Sequence, residues 1–359
     1  MSATSEVFPF RHFGEQLQAV RQAALIQTGV RGSIDPRLAE LQQRAVAAGG
    51  SEQVPADGGF LVAPEFSRDL VKRMYNVGDI LSRCFQMPLT ASNSIKFPQI
   101  AETSRVTGSR LGGVQAYAPN EADTITASKP AFTLTELEAH KIIGLIYLTD
   151  ELVADSGAMN AWAEYAFALE MAFKLENYIV NGTGSDQPLG ILNSGALITV
   201  PKEGSQSSAT VVSNNIDNMI RRLWAPSKKN AVWLYHQDLL PQFRQLSTVV
   251  GAAGSETGLL DFADALDPFD RIAGIPLIPS EYCQVPGTPG DLILADFSRY
   301  VVAMRQDVMA DVSIHVKFLT DETAFRFVMR VNGQPLDAVP VTPHKGTNTT
   351  STFVALATR

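Results

Sequence analysis

Residues 160–192 read NAWAEYAFALEMAFKLENYIVNGTGSDQPLGIL. Trp162, Tyr165, Ala166, Leu169, Phe173 and Ile179 recur at helical spacing while Glu164, Glu170, Lys174 and Glu176 stay polar, which predicts a long amphipathic helix over about residues 160–181. At about 1.5 Å per residue it spans on the order of 30 Å, enough to be the backbone of a flat molecule. Gly182 is expected to close it with a left-handed cap. Gly182-Thr183-Gly184-Ser185 has glycines but no lysine, and it follows a helix instead of a strand, so it reads as a helix-ending turn and not a phosphate loop.

Upstream, residues 132–149 have strand character, and Asp150-Glu151-Leu152 leads into the helix; these adjacent acids fit capping and the helix dipole better than acid–base work. Before them, Ile95-Lys96-Phe97 alternates like a strand and gives way to a polar tract, residues 101–129, rich in Thr, Ser, Gly and Asn. A tract that long without a buried stripe marks a functional excursion. Val106, Val114, Ala116, Tyr117, Ile125 and Thr126 favour β structure, with Gly112-Gly113 and Pro119-Asn120 between them. They predict an extended two-stranded arm that neighbouring subunits would stabilise.

At the front, Phe10, Phe13, Leu17, Val20 and Ala24 form one helical stripe. A second short helix follows, capped by Asp35, with Pro36 in its first turn, Leu38, Leu41 and Ala45 on one face, and Gly49-Gly50 at its end. Such an arm has too little core to stand alone and should pack on another surface. After a linker at 51–57, Gly58-Gly59-Phe60-Leu61-Val62-Ala63-Pro64-Glu65 opens a globular body, and a helix-like run at 66–76 carries Phe66, Leu70 and Met74.

Beyond residue 205 the pattern alternates. Helices are expected at 216–223 and 237–246, a flexible Gly-rich loop at 251–258, and strands at 231–235, 275–279, 292–295, 300–304, 312–316 and 325–331. The whole reads as two α+β domains with discontinuous strands.

Composition narrows the function. The 359 residues are 45% hydrophobic and 18% charged, with 26 glycines and 20 prolines: a sizeable core with many turns, in two or more compact units. A net charge of −8 leaves no basic patch on the scale that phosphate neutralisation demands, and argues against sequence-specific nucleic-acid binding. An acidic chain can still enclose DNA as a container wall. Cys84 and Cys283 lie far apart behind a polar start, as in a protein made in the cytoplasm with reduced thiols. No apolar run approaches the ~18 residues of a membrane span; the longest, 142–148, is interrupted by Gly144.

The search for chemistry returns no catalytic, cofactor or metal residues. His12, His140, His236, His315 and His344 have no paired ligand spacing. His236 and Asp238 could orient an imidazole, with Ser280 as the nearest nucleophile for a cytoplasmic hydrolase, but no nucleophile elbow is present. A helix-start histidine beside a capping acid accounts for the pair.

Taken in order, four stretches resemble the major capsid family of tailed phages whose prototype is coliphage Hong Kong 97. They are residues 58–65; Thr149-Asp150-Glu151-Leu152; Asn181-Gly182-Thr183-Gly184 with Gln187-Pro188-Leu189-Gly190-Ile191-Leu192; and Asp291-Leu292-Ile293-Leu294-Ala295-Asp296-Phe297-Ser298. The resemblance covers about residues 58–345 and implies an α+β Hong Kong 97-type capsid fold. It implies an N-arm over 1–57, the start of the P-domain over 58–100, an E-loop over 101–136, and the P-domain with its spine helix over 137–204. An A-domain over 205–310, returning P-domain strands over 311–344 and a C-terminal A-domain segment over 345–359 would follow.

That family's members build shells, so the resemblance implies a homo-oligomer of pentamers and hexamers that encloses double-stranded DNA in a virion capsid after synthesis in the host cytoplasm. Portal, scaffolding or decoration proteins would be partners, and no membrane is involved. Expected intersubunit contacts are Phe10, Phe13 and Leu17 on the N-arm and Arg105, Arg110, Glu121, Asp123 and Lys129 on the E-loop, with the first four charged residues as ion-pair partners. The sequence departs from the prototype twice. Only about fifty residues precede the body, so the arm is expected to be retained and scaffolding supplied otherwise. The central E-loop lacks a lysine and Lys129 sits at its base, so noncovalent arm contacts are expected in place of a crosslink. An encapsulin-like nanocompartment and a gene-transfer-agent shell are the rival readings; the retained arm and long E-loop favour the virus over the former.

Overall fold

The computed structural model describes residues 13–27, 35–38, 59–61, 78–89, 93–100, 102–118, 127–149, 156–250, 255–261, 269–305, 309–313 and 322–359. Helix α1 (Phe13–Gln27) and strands β1 (Gly59–Leu61), β2 (Phe85–Leu89), β3 (Ser94–Ile100), β4 (Phe132–Glu138) and β5 (His140–Thr149) lead to the 26-residue helix α2 (Ser156–Asn181). Then come β6 (Leu197–Val200), α3 (Ser213–Arg222), β7 (Val232–Tyr235), α4 (Leu240–Phe243), β8 (Ser247–Val250), β9 (Ser255–Gly258), β10 (Leu260–Asp261) and β11 (Arg271–Ile272). The chain closes with β12 (Ile275–Pro279), β13 (Leu292–Ala295), β14 (Tyr300–Arg305), β15 (Met309–Ser313), β16 (Glu322–Pro335) and β17 (Phe353–Leu356).

One sheet is built around β16, in the order β1-β15-β16-β14-β2, with β5 antiparallel along residues 322–331 of β16. Alternation in β5 decides which face is covered: Ile142 and Leu148 are buried on the side of α2, while Ile143, Leu145 and Tyr147 are exposed on the other. Gly144 lets α2 come close, because a Cβ there would lie 2.9 Å from the Met171 side chain. The rings of Phe167 on α2 and Phe327 on β16 meet at 3.9 Å between centroids. Helix α1 packs on α2 and β15, burying Ala19, Val20 and Ala23. The next turn is tied to it by Arg37, whose guanidinium donates to Glu15 and Asp35 at 2.7 Å each, while the Asp35 carboxylate accepts from Arg37 N at 3.0 Å as the expected cap.

The second sheet runs β10-β11-β12-β7-β13-β17-β6. Strands β7, β13 and β17 are buried at every position, as expected of strands covered on both faces. Their period of two divides two cores. Val232, Leu234, Ile293, Ala295, Phe353 and Ala355 join the core under α2. Trp233, Tyr235, Leu292, Leu294, Val354 and Leu356 form another with Ile216 and Met219 of α3.

Several expectations need correction. Helix α2 starts at Ser156, a turn earlier than periodicity predicts. Gly182 is not left-handed; the positive φ belongs to Gly184, at +80°. Glycine is required at 182 by close approach, since a Cβ would run into Pro188 O and Tyr178 O, and the helix end is capped by Asn193, whose amide donates to the carbonyls of Asn181 and Gly182 at 2.9 and 3.0 Å. The helix expected at 237–246 is a 3-10 turn, Gln237–Leu239, followed by α4, because Pro241 has no N–H to continue an earlier helix and occupies the first turn of a new one. Residues 255–258 of the expected loop are strand β9, paired with β8. The strand expected at 312–316 overlaps β15, Met309–Ser313, and residues 314–316 lie outside the described residues. The run at 66–76 lies outside the described residues.

Candidate assembly surfaces

Strands β3 and β4 form a two-stranded antiparallel ribbon separate from both main sheets, in register from Ser94↔Glu138 to Ile100↔Phe132. The expected arm therefore has its strands at the two ends of the polar tract. Within the tract, residues 102–118 are turns, isolated bridges and irregular chain, with Gly108, Leu111, Gly112 and Gly113 at positive φ, outside the β region.

The two ribbon faces differ. Ile95, Phe97 and Leu137 pack with Leu89, Ala139, Val301 and Ala303 and anchor the base. On the other face Ile100, Phe132 and Leu134 are exposed, Leu134 at 67%. On that face Ile100 stands opposite Phe132 and Leu134 opposite the exposed Pro98, with the exposed Lys96–Glu136 pair, 3.1 Å apart, next along the ribbon. An isolated ribbon with one bare apolar face is marginal in water. Sequence reasoning missed these three residues, although Phe132 and Leu134 alternating with Thr133 and Thr135 carried the signal.

The tract is pinned near its start. Arg105 N donates to Thr342 O at 2.8 Å, and Thr342 N donates to Thr103 O at 3.0 Å. His344 Nδ1 lies 3.1 and 3.2 Å from the carbonyl oxygens of Arg105 and Val106, so this nitrogen carries the proton. The Arg105 guanidinium pairs with Glu102 at 2.5 Å and sits 5.2 Å from the centre of the Trp224 ring. Arg299 approaches the same ring at 6.0 Å and is held by Asp337 at 2.6 Å, a hydrogen bond that raises its pKa above the usual arginine value.

The expected contact residues fall as follows. Arg105 is engaged within its own chain. Arg110 is exposed in a tight turn, its backbone paired both ways with Val114 at 2.8 Å. Lys129 is exposed on the segment leading into β4, which is drawn to that turn by Ala131 N donating to Gly112 O at 2.8 Å. Phe13 opens α1 and Leu17 lies within it. Phe10, Glu121 and Asp123 lie outside the described residues.

Charge inside the body is structural. Glu176 of α2 accepts from Ile80 N and Leu81 N at 2.7 and 2.8 Å. Burial pushes its carboxyl pKa up against these bonds and one from Tyr282. Asp291 and Arg359, both fully buried, form a bidentate pair at 2.5 and 3.0 Å, and Asp291 also accepts from Gly287 N at 2.8 Å. His236 Nδ1 accepts from Asp238 N at 3.3 Å and caps the 3-10 turn, while Ser280 Oγ accepts from Tyr282 N. Among the described residues, no cluster of His, Cys, Asp and Glu could hold a metal ion, and no helix is long and apolar enough to cross a membrane.

A long helix across one sheet, a second sheet shared between two cores, and a ribbon with one apolar face exposed among the described residues characterise this architecture. The sequence model of the phage capsid family matches residues 58–346, and the chain belongs to that family. No curated protein matches it. Among solved structures it is similar to the capsid of an empty GTA particle, with TM-score 0.55 and 15% identity over 78% of this chain and 89% of that one. The capsid of a native GTA particle gives 0.54 and 16% over 87% and 97%, and a chain from Mycobacterium phage Cain 0.51 and 14% over 78% and 90%. Both GTA capsids were computed with C5 symmetry. The fold is the α+β Hong Kong 97 type, and the protein is a shell-forming major capsid protein, a structural component of a capsid.

Proposed function

We propose that this chain builds the icosahedral head shell of a tailed phage, as pentamers and hexamers around double-stranded DNA, through arms that lie over neighbouring copies. The observation that carries this reading is the ribbon β3–β4: anchored at its base, and bare on the face of Ile100, Phe132 and Leu134. Burying large apolar side chains is worth about 1.5–3 kcal/mol each, so a neighbour that covers them contributes more to association than any exposed ion pair. Repeated around a closed symmetry, such contacts add up without any one being strong.

In this reading residues 1–57 are the N-arm, 101–136 the E-loop, 205–310 with 345–359 the A-domain, and the remainder the P-domain around α2. Arg110 and Lys129, exposed at the turn-rich end of the arm, face neighbours. The shell holds DNA without reading its sequence, and portal and scaffolding proteins complete the particle. A GTA-type shell uses the same assembly and differs in what it carries. Negative-stain microscopy with sedimentation of the purified chain tests the proposal. Hollow shells or ring-shaped capsomers are expected, and a monomer that persists at high concentration with a scaffold candidate present would overturn it.

A further inference from the structure

The chain carries 37 acidic and 29 basic residues, and many of its described cations are neutralised locally: Arg37, Lys96, Arg105, Arg299 and Arg359 all have carboxylate partners. One concavity departs from it at Arg83, Lys228 and Lys229. A cavity of about 500 Å³ is lined by Arg83, Lys228, Lys229, Asn230, Arg271 and Ser298, and no carboxylate is among its described lining residues.

Separate parts of the fold bring the cations there. Arg83 ends the 3-10 turn Leu81–Arg83 that precedes β2 of the first sheet. Lys228 and Lys229 end the 3-10 turn Ala225–Lys229 before β7 of the second. Arg271 opens the β11–β12 hairpin, whose turn residues Ala273 and Gly274 both have positive φ, and its Nη1 donates to Gly274 O at 3.1 Å. Arg83, Lys228 and Lys229 make no ion pair among the described residues. The acid nearest in sequence to the Ser298 wall, Asp296, is buried and accepts from both Ser298 N and Ser298 Oγ. Asn230 Nδ2 reaches Ser298 Oγ only at 3.5 Å, too long to occupy the amide fully.

Like charges gathered in a concavity repel one another and raise the local concentration of a counter-anion. A single planar carboxylate is matched by one guanidinium. Several cations, two of them ammonium groups, suit an anion with repeated charges. We infer that this pocket is a phosphate-binding site that takes the backbone of the enclosed nucleic acid. The inference rests on the shell reading for its choice of nucleic acid as the source of phosphate. Backbone contacts carry no sequence information, so the site serves to hold the polymer against the wall.

The test uses the full chain and a fluorescently labelled mixed-sequence DNA duplex, titrated by anisotropy across a salt series. The charge-removing pair Lys228→Gln and Lys229→Gln is expected to weaken duplex binding roughly tenfold or more at low salt, and to flatten the log–log salt slope by about 1.8. Arg83→Gln is expected to act in the same direction, whereas Lys202→Gln, an exposed lysine outside the pocket, leaves affinity and slope in place. Unchanged affinity and slope in the pocket variants overturn the inference. So does a pocket that takes poly-glutamate or inorganic phosphate but not the duplex, which would make it a site for an acidic partner segment or a free anion. Negative-stain images of the same samples report shell formation separately, so failure of the pocket and failure of the shell reading are distinguishable.

Discussion

Glu176 joins the long helix to residues 80 and 81 by two hydrogen bonds, and burial raises its pKa above the ordinary value of 4.5. The folded chain therefore holds this proton more tightly than the unfolded chain does. The stability it contributes is fully present below about pH 4.5 and is lost as the pH rises through the folded pKa. Glu176→Gln keeps a carbonyl for both backbone donors. It is expected to melt at or above the wild-type temperature at pH 7, with the advantage vanishing toward pH 4 in melts of the unassembled subunit. Arg359 presents the opposite case: Arg359→Ala leaves the buried Asp291 carboxylate without its cation and should cost about 3–5 kcal/mol in urea unfolding. Lys96→Ala, at an exposed pair, should stay within about 1 kcal/mol.

At the scale of elements, the ribbon separates stability from assembly. Its base is part of a core, and its apolar face is left exposed by the described residues of its own chain. Phe132→Asp and Leu134→Asp should therefore change subunit unfolding by about 0.5 kcal/mol or less while abolishing capsomers or shells in sedimentation. A loss of several kcal/mol in the subunit would mean the face is covered from within. The 14-residue β16, paired with β15 over residues 324–328 and with β14 over residues 331–335, shows why strand boundaries shifted from their expected places. Pairing partners far along the chain set those boundaries, as they do for most sheets.

The second sheet divides two of the molecule's cores, and two free thiols belong to the one under α2. Cys84 and Cys283 are buried, and burial pushes Cys283 up to about 12 and Cys84 well above its ordinary value. Neither should react with a thiol reagent at pH 8 in the folded chain, and both should become reactive together across the denaturation midpoint. Labelling of Cys283 alone at low denaturant would show instead that the second sheet opens before the first.

Local periodicity is a property of neighbouring residues, and for that reason the sequence alone determined helix α2, the strands at 275–279 and 292–295, and the ordered motifs that resemble the capsid family. Composition alone argued against a membrane span, and residue spacing against a zinc cluster. Only the tertiary structure decided which faces remained bare. Ile100 meets Phe132 across a ribbon, Asp291 finds Arg359 across 68 residues, and Arg83, Lys228 and Arg271 line one cavity. The physical reason is that exposure and charge neutralisation depend on residues distant in the chain, and a pattern read along the sequence carries no information about which of them will meet.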